Sequence, residues 1–544
     1  MKKRRINLIL ILIIVFGAAI IGRLFDIQII QHDLYKALAQ GQQSAYESAK
    51  GDRGEIFFRG GQILATNVRE KYVFISPEEI EEKERTAEKL SQILGLEKEL
   101  ILEKIRKDNL FEEIKLDLTK KEKEDLEKAD LKGVHLSEKV ERSYPQRFMA
   151  SVMVGFLGGE ETGQYGIEGY FDDILQGREY LDNEEDVKGQ DIFLTLDYNI
   201  QFTIEKLLEK AKKDLDIEGG QIIVINPNSG EILALANFPN FDPNKYWEVD
   251  NFRIFQNPAI QELFEPGSVF KPITMAGALD QGKITPRTSY IDKGEVKVGG
   301  WTIYNYNEKI FGEQTMTQVL EKSINTGAVF AEKQLGHELF LDYIDRFGFF
   351  ELTGIDLQEE IFSENQEFKK GYEINFVNAS FGQGIEITPI QLVRGFSAIA
   401  NGGNLVKPYV VKKIYKDNQF IENKAEISRD KVISPKTASQ LTAMMVSVIE
   451  NGFSKGARIP GYYLAGKTGT AQVSWSALGV NKKGYSDKTW QSFIGFGPAF
   501  DPEFLILIKL DNPEAKTAEY SAVPIFKELA KYLIDYLEIP PDYE

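Results

Sequence analysis

Two apolar hairpin patterns, far apart in the chain, constrain the fold most. Residues 219 to 243, GGQIIVINPNSGEILALANFPNFDP, read as two apolar strands around an Asn-Pro-Asn-Ser-Gly turn. Residues 490 to 513, WQSFIGFGPAFDPEFLILIKLDNP, read as a second strand pair turning around Ala499 to Pro502. Between and around them the pattern is helical. A strand and an amphipathic helix begin near Asp191 (DIFLTLDYNIQFTIEKLLEKAKK), and a last helix sets Ile525, Leu529, Leu533 and Leu537 on one face. Strands at both ends of one segment with helices between them predict an antiparallel sheet covered by helices, an α+β domain over residues 189–544.

At 544 residues the chain is long enough for two or three domains. Residues 51–188 read as a separate domain. RGEIFFRGGQILATN (53–67) is a short strand, a Gly-Gly turn and a second strand, and the Glu- and Lys-rich stretch 77–132 reads as amphipathic helices with solvated outer faces. The Gly- and Tyr-rich stretch 163–180 reads as ordered. A charge-mediated partner site on 77–132 is the alternative to a solvated face. At the amino end Lys2, Lys3, Arg4 and Arg5 precede the apolar run 6–22, which Leu24 and Phe25 can extend. As a helix, 6–22 spans about 26 Å against a ~30 Å hydrocarbon core. The charge placement predicts residues 1–5 in the cytoplasm, a single membrane-spanning helix over 6–25, a polar stalk over 26–50, and everything after it outside. The rival is a cleaved signal peptide, with Gly17-Ala18-Ala19 as its cleavage site.

Composition narrows the chemistry. A formal charge of −18 argues against a nucleic-acid surface, and the absence of cysteine removes disulfides and thiolate nucleophiles. Only His32, His135 and His337 are present, spread along the chain, which disfavours a Ser-His-Asp triad or a histidine-rich metal site. A nucleophile here needs another base.

The segment LFEPGSVFKPITMAGALDQG (263–282) supplies one. Pro266-Gly267 makes a sharp entry, Ser268 stands at a helix amino end where free N–H groups favour developing negative charge, and Lys271 shares its face at i+3. For Lys271 to take a proton it must be neutral. Lowering its pKa from ~10.4 to near 7 takes roughly 4 kcal/mol, so burial and a second cation are required. Lys467 in LAGKTGTAQ (464–472) is the candidate cation. On an edge strand Gly469 would hold nothing off an incoming peptide backbone, with Lys467 and a threonine hydroxyl meeting its carboxylate; the alternative is a plain strand with a glycine bulge. Ser323 and Asn325, in VLEKSINTG, could relay a proton and bind a substrate amide. A second Ser-x-x-Lys, Ser428–Lys431, lies in a charged stretch and is assigned to the surface, and Ser363–Asn365 is a rival to Ser323–Asn325.

In this order the motifs resemble those of the penicilloyl-serine transferases, which include penicillin-binding proteins and serine β-lactamases. The whole chain is similar to a class B penicillin-binding protein, a monofunctional peptidoglycan D,D-transpeptidase. RGEIFFRGG resembles the RGxIxDRNG element of its non-catalytic, dimerisation-type pedestal, with Phe58 and Gly60 where that element carries Asp and Asn. IFLTLDYNIQ, EPGSVFKP, GQGIEITPIQL, GKTGTAQ and SFIGFGPAFDP resemble transpeptidase segments. The resemblance implies Ser268 as the acylated nucleophile, Lys271 as its base, Ser323 in proton transfer, Asn325 positioning the donor and Lys467 as the second cation. Thr468 and Thr470 would face the substrate carboxylate, and the N–H groups of Ser268 and Thr470 would form an oxyanion hole. It implies stem peptides as substrate, β-lactams as inhibitors, a membrane-embedded glycan polymerase and other cell-wall assembly proteins as partners, and neither metal nor organic cofactor. D,D-carboxypeptidase, β-lactamase and non-catalytic scaffold or β-lactam-binding protein stay open as alternatives.

Overall fold

Residues 56–75 begin the amino-terminal half as strand β1 (Ile56–Phe57), a tight turn through Gly60-Gly61 and the long strand β2 (Ile63–Ile75). In the computed structural model residues 52–159, 161–176, 188–416, 418–428 and 430–544 are described, with Phe16, Gly17 and Arg23 besides. The membrane helix expected over 6–25, apart from those three positions, the stalk over 26–50 and the end of the 163–180 stretch lie outside the described residues. Among the described residues no helix is long and apolar enough to cross a membrane. Residues Glu55–Leu175 and Gln190–Glu544 form one compact unit; in the other unit Gly189 N–H donates to Asp52 O (2.8 Å).

After β2 come helices α1 (Lys83–Leu94) and α2 (Lys98–Ile105), strand β3 (Glu112–Lys115), helix α3 (Lys120–Ala129) and strand β4 (Val134–Ser143). Leu90, Leu94, Ile101, Ile105 and Leu126 pack together on Val73 and Ile75. The stretch expected to be all helix is thus interrupted by β3, which pairs antiparallel with β2. Only Ile114 of its four residues is buried. An outermost strand tolerates charge on its free side, so the charge density that suggests a helix surface fits β3 as well.

The carboxy-terminal half runs β5 (Asp191–Leu194), α4 (Tyr198–Leu215), β6 (Gly219–Ile225), β7 (Ile232–Phe238), α5 (Lys271–Asp280), α6 (Asn325–Leu335), β8 (Val411–Lys416), β9 (Gln419–Glu422), α7 (Pro435–Asn451), β10 (Ala465–Ser474), β11 (Tyr485–Gly497), β12 (Phe504–Asp511) and α8 (Ala522–Tyr536), with shorter elements between. Both expected hairpins are present and join one five-stranded antiparallel sheet in the order β10-β11-β12-β6-β7. Successive residues of its strands enter different cores. Ile222, Val224, Ile506 and Ile508 pack with Ile204 and Leu208 of α4 and Phe526, Leu529 and Leu533 of α8. Ile223, Ile225, Leu505 and Leu507 pack with Ile273 of α5 and Leu441 and Met445 of α7. Both faces are covered, which is why β6 and β12 read as continuous apolar runs. Leu537, expected on the buried face of the last helix, instead caps it and is 38% exposed, because the helix ends at Tyr536.

The second sheet has the order β9-β8-β5-β1-β2-β3, with β4 also on β2, so it draws strands from both halves of the chain. Its one parallel pair aligns Ile56 with Ile192. Phe58, in the β1–β2 turn, is fully buried and meets Tyr198 of α4 edge-on at 5.3 Å, while Arg59 pairs with Glu231 at 2.8 Å. The departure from the pedestal motif therefore exchanges a polar turn residue for an aromatic anchor between the halves. Phe58→Ala is expected to cost about 3–5 kcal/mol in urea unfolding. Phe58→Asp, although it restores the residue type of the motif, is expected to cost at least as much, because its carboxylate would be buried among Ile56, Leu64 and Tyr198; a neutral outcome would show that the turn can rearrange.

Candidate active site

Ser268 sits in a short 3₁₀ turn (Gly267–Phe270) that leads into α5, and Lys271 opens that helix with Pro272 beside it in the first turn. Pro there forfeits only an N–H that has no helical partner, so the entry is built from residues suited to it. Lys271 is fully buried while Ser268 is half-buried and reachable. The Lys271 amine lies 3.0 Å from Ser268 Oγ, 2.6 Å from the Ser323 carbonyl, 3.2 Å from Ser323 Oγ and 2.8 Å from Asn325 Oδ1. Two of these four neighbours, the carbonyl and the amide oxygen, can only accept. A neutral amine gives them its two N–H bonds and keeps one lone pair, which the Ser268 O–H can address.

Burial first, and the neighbouring Lys467 second, hold the Lys271 amine well below the usual lysine range. Lys467, on β10 and 1% exposed, is brought by burial to about 7. Its amine is 2.9 Å from Ser323 Oγ and 3.0 Å from the Thr468 carbonyl. The Ser323 hydroxyl thus stands between the two amines, at a residue held in the left-handed backbone region (φ 54°). The Asn325 amide is oriented by its neighbours: Oδ1 accepts from Lys271, and Nδ2 donates to the Tyr304 carbonyl (3.0 Å). A buried Lys271 with a second amine, that of Lys467, close by is the arrangement the base required.

β10 is the edge of its sheet, as the strand-addition reading requires. Gly469 has a packing reason of its own besides. A Cβ there would stand 2.5 Å from Ser492 Oγ and 3.0 Å from both the Pro266 carbonyl and Val269, so the glycine makes room for the protein's own nucleophile turn. Thr468 is half-buried beside Lys467, and Thr470 Oγ1 accepts from the Ala518 N–H (3.2 Å), which ties that hydroxyl to the segment before α8. The rival motifs lie elsewhere. The Ser428 hydroxyl donates to the Asp430 carbonyl and the Lys431 amine to the Gly402 carbonyl, both exposed; Asn365 Nδ2 donates to the Ser363 and Glu386 carbonyls, a structural link.

Motif reading missed three contributors. Tyr304 acts through its carbonyl, which no side-chain pattern reveals. Glu265, three residues before Ser268, accepts from the Tyr485 hydroxyl (2.9 Å), and burial lifts its carboxyl to about 7. Gly382 has φ 80° and accepts at its carbonyl from Gly267 N–H (2.9 Å), and a Cβ on it would stand 2.1 Å from the Gly267 oxygen. The signal for Gly382 was the Gly-x-Gly that follows an apolar helix pattern at residues 382–384.

Gly382→Ala is expected to lower both Tm and the reactivity of Ser268. Gly402→Ala, at a similar φ (79°) with nothing near its Cβ, is expected to show only the modest backbone cost of about 1–2 kcal/mol. Equal effects of the two on reactivity would refute the close-approach argument. Stability should also report the buried amine. In the unfolded chain Lys467 returns to about 10.5, so between about pH 7 and 10.5 the unfolded state binds more protons and stability rises with pH. The unfolding free energy of Lys467→Met minus that of the wild type should fall as the pH is raised from 7 to 10; a constant difference would show that Lys467 titrates normally.

Residues 220–531 match the family described as the penicillin-binding protein transpeptidase domain, and residues 48–192 match the penicillin-binding protein dimerisation domain. Stage V sporulation protein D of Bacillus subtilis (strain 168) is 31% identical, the alignment covering 99% of this chain and 86% of that protein. The probable peptidoglycan D,D-transpeptidase PenA of Neisseria meningitidis is 26% identical over 99% of this chain and 93% of its own. Among solved structures, apo penicillin-binding protein 3 of Mycobacterium tuberculosis superposes with a TM-score of 0.71 at 26% identity, covering 90% of this chain and 97% of that one. Its complex with aztreonam gives 0.72 at 25% identity, with the same coverage. With more than half its length in the transpeptidase match and nearly all of it aligned to such relatives, this chain belongs to the class B penicillin-binding proteins.

Proposed function

We propose that the protein is a peptidoglycan D,D-transpeptidase that joins stem peptides through an acyl-enzyme on Ser268 and is acylated there by β-lactams. The observation that carries this reading is the buried Lys271 amine, 3.0 Å from Ser268 Oγ and held well below the usual lysine range by burial first and by the neighbouring Lys467 second. The Ser268 proton passes to Lys271 as Oγ attacks the carbonyl between the two terminal D-alanines. The N–H groups of Ser268 and Thr470 receive the developing oxyanion. As the tetrahedral adduct collapses, the departing D-alanine amine takes a proton through the Ser323 hydroxyl, which lies 3.2 Å from Lys271 and 2.9 Å from Lys467. The neutral amine of a second stem peptide then attacks the ester, its N–H proton passes through the Ser323 hydroxyl to Lys271, and Lys271 returns that proton to Ser268 Oγ as the oxygen leaves. The donor's terminal carboxylate, arriving by Thr468 and Thr470, favours the protonated form of Lys467, and that charge in turn keeps Lys271 neutral. Asn325 holds Lys271 and offers its remaining N–H to the donor.

The remaining assignments belong to the same proposal. Residues 51–188 serve as the pedestal and 189–544 as the catalytic domain. The apolar run 6–25 serves as a single membrane anchor with the amino terminus in the cytoplasm, which puts catalysis outside the membrane and beside a membrane-embedded polymerase that supplies glycan.

The test is acylation of residues 45–544 with a fluorescent penicillin. A stable adduct is expected on the wild type and on Ser428→Ala, and none on Ser268→Ala. Lys271→Arg puts in its place a guanidinium with no neutral form in reach, so acylation should slow by about 10²–10⁴. Rapid release of the adduct would turn the reading toward a β-lactamase, and absence of an adduct on folded wild type would turn it toward a scaffold.

A further inference from the structure

Asp292 lies outside every motif discussed so far, yet it is the centre of the densest buried hydrogen-bond cluster near the site. Its side chain is 1% exposed, and its carboxylate accepts from Thr326 Oγ1 (2.6 Å), Phe311 N–H (2.7 Å), Gly294 N–H (3.0 Å) and Asn305 Nδ2 (3.0 Å to each oxygen). Burial alone would raise its pKa; these donors outweigh that and hold it below the usual carboxylate value. The main groups that lower it are the Thr326 hydroxyl, the Phe311 and Gly294 N–H groups and the Asn305 amide, all neutral, so the charge helps to fix their positions.

Two of the donors flank the site. Thr326 follows Asn325 in the first turn of α6, and its N–H donates to Asn305 Oδ1 (3.1 Å). Asn305 follows Tyr304, the last residue of the hairpin formed by Glu295–Val298 and Trp301–Tyr304. Asp292 and Asn305 therefore clamp the end of the hairpin to the start of α6, and the residues clamped are the immediate neighbours of Tyr304 and Asn325. The Tyr304 carbonyl then takes Asn325 Nδ2, which turns Oδ1 toward the Lys271 amine at 2.8 Å.

We infer that Asp292 is a positioning residue for the reaction: through Asn305, Thr326 and the Tyr304 carbonyl it fixes the Asn325 amide so that Lys271 presents its lone pair to Ser268. This inference rests on the proposed acyl-enzyme reading. If the Asn325 amide is free to turn, its NH₂ can face Lys271, and the amine must then accept from Asn325 with the lone pair that Ser268 needs. Asp292 acts on the rate of acylation through Asn325 and through no other group of the site.

The test is a double-mutant cycle on the acylation rate constant with benzylpenicillin, using Asp292→Asn, which keeps the shape and removes the charge, and Asn325→Ala. Thr326→Val, which removes one donor, runs in the same cycle and serves alone if Asp292→Asn does not fold. Tm is recorded for every variant, and rates are measured well below it. Asp292→Asn is expected to slow acylation about tenfold in the wild-type background and less than twofold when Asn325 is already alanine. Multiplicative losses in the double variant would overturn the inference, because a carboxylate that only stabilises the fold has no reason to lose its effect with Asn325. A wild type that acylates while the cycle is multiplicative removes Asp292 alone. A wild type that does not acylate removes the underlying reading.

Discussion

Two primary amines are buried within hydrogen-bonding distance of one serine side chain, Ser323, and most of the surrounding architecture answers to that fact. An ammonium taken out of water costs several kcal/mol unless it is paired or neutralised. Among the described residues no carboxylate is a hydrogen-bond partner of Lys271 or Lys467. The fold meets the cost with carbonyl and amide oxygens instead, and these accept from a neutral amine as well as from a charged one. A carboxylate in their place would hold the lysines protonated and remove the base. The unfavourable burial is sustained by the sheet beneath: its two apolar faces, each under helices, stabilise a platform on which one edge strand can carry a poorly solvated lysine.

The same platform explains why the catalytic groups come from distant parts of the chain without loss of precision. Ser268 and Lys271 open a helix packed on one face of the sheet, Lys467 lies in its edge strand, and Ser323 and Asn325 begin a helix that is held from the side by the hairpin ending at Tyr304. Lys271, Asn325 and Lys467 lie within regular elements, and Ser268 and Ser323 in the short turns that lead into two of them, where packing fixes the backbone. The contacts between halves of the molecule are of the same kind. Phe58 against Tyr198 and Arg59 with Glu231 tie the β1–β2 turn to the elements that start and follow α4, and the mixed sheet runs through both halves.

Much of this was legible in the sequence, and the parts that were not share a cause. Strands β6, β7, β11 and β12 announced themselves because both of their faces are buried, and the periodicity of α8 gave Ile525, Leu529 and Leu533. Ser268, Lys271 and Lys467 could be read because a buried amine base needs a nucleophile at helical spacing and a second cation. What failed depended on partners remote in sequence. Nothing local in VKKIYK at 411–416 shows that it extends a sheet begun at residue 56. The charged β3 looked like a helix surface because edge strands and helix surfaces tolerate the same residues. Tyr304 contributes a carbonyl, and Asp292 acts at one remove, so neither leaves a side-chain signature beside the nucleophile.

The glycines that surround Ser268 also bear on how such a chain can vary over generations. At Gly267, Gly382 and Gly469 an added methyl would meet backbone or short side-chain atoms at 3.0 Å or less. Variation that weakens an inhibitor while sparing the reaction has no room to enter there. It is left to exposed positions such as the Tyr304 side chain, 47% exposed, which can change size or polarity while the backbone carbonyl that holds Asn325 stays in place. The interior of the site is in this sense closed to inheritance, and its periphery is where lineages can differ.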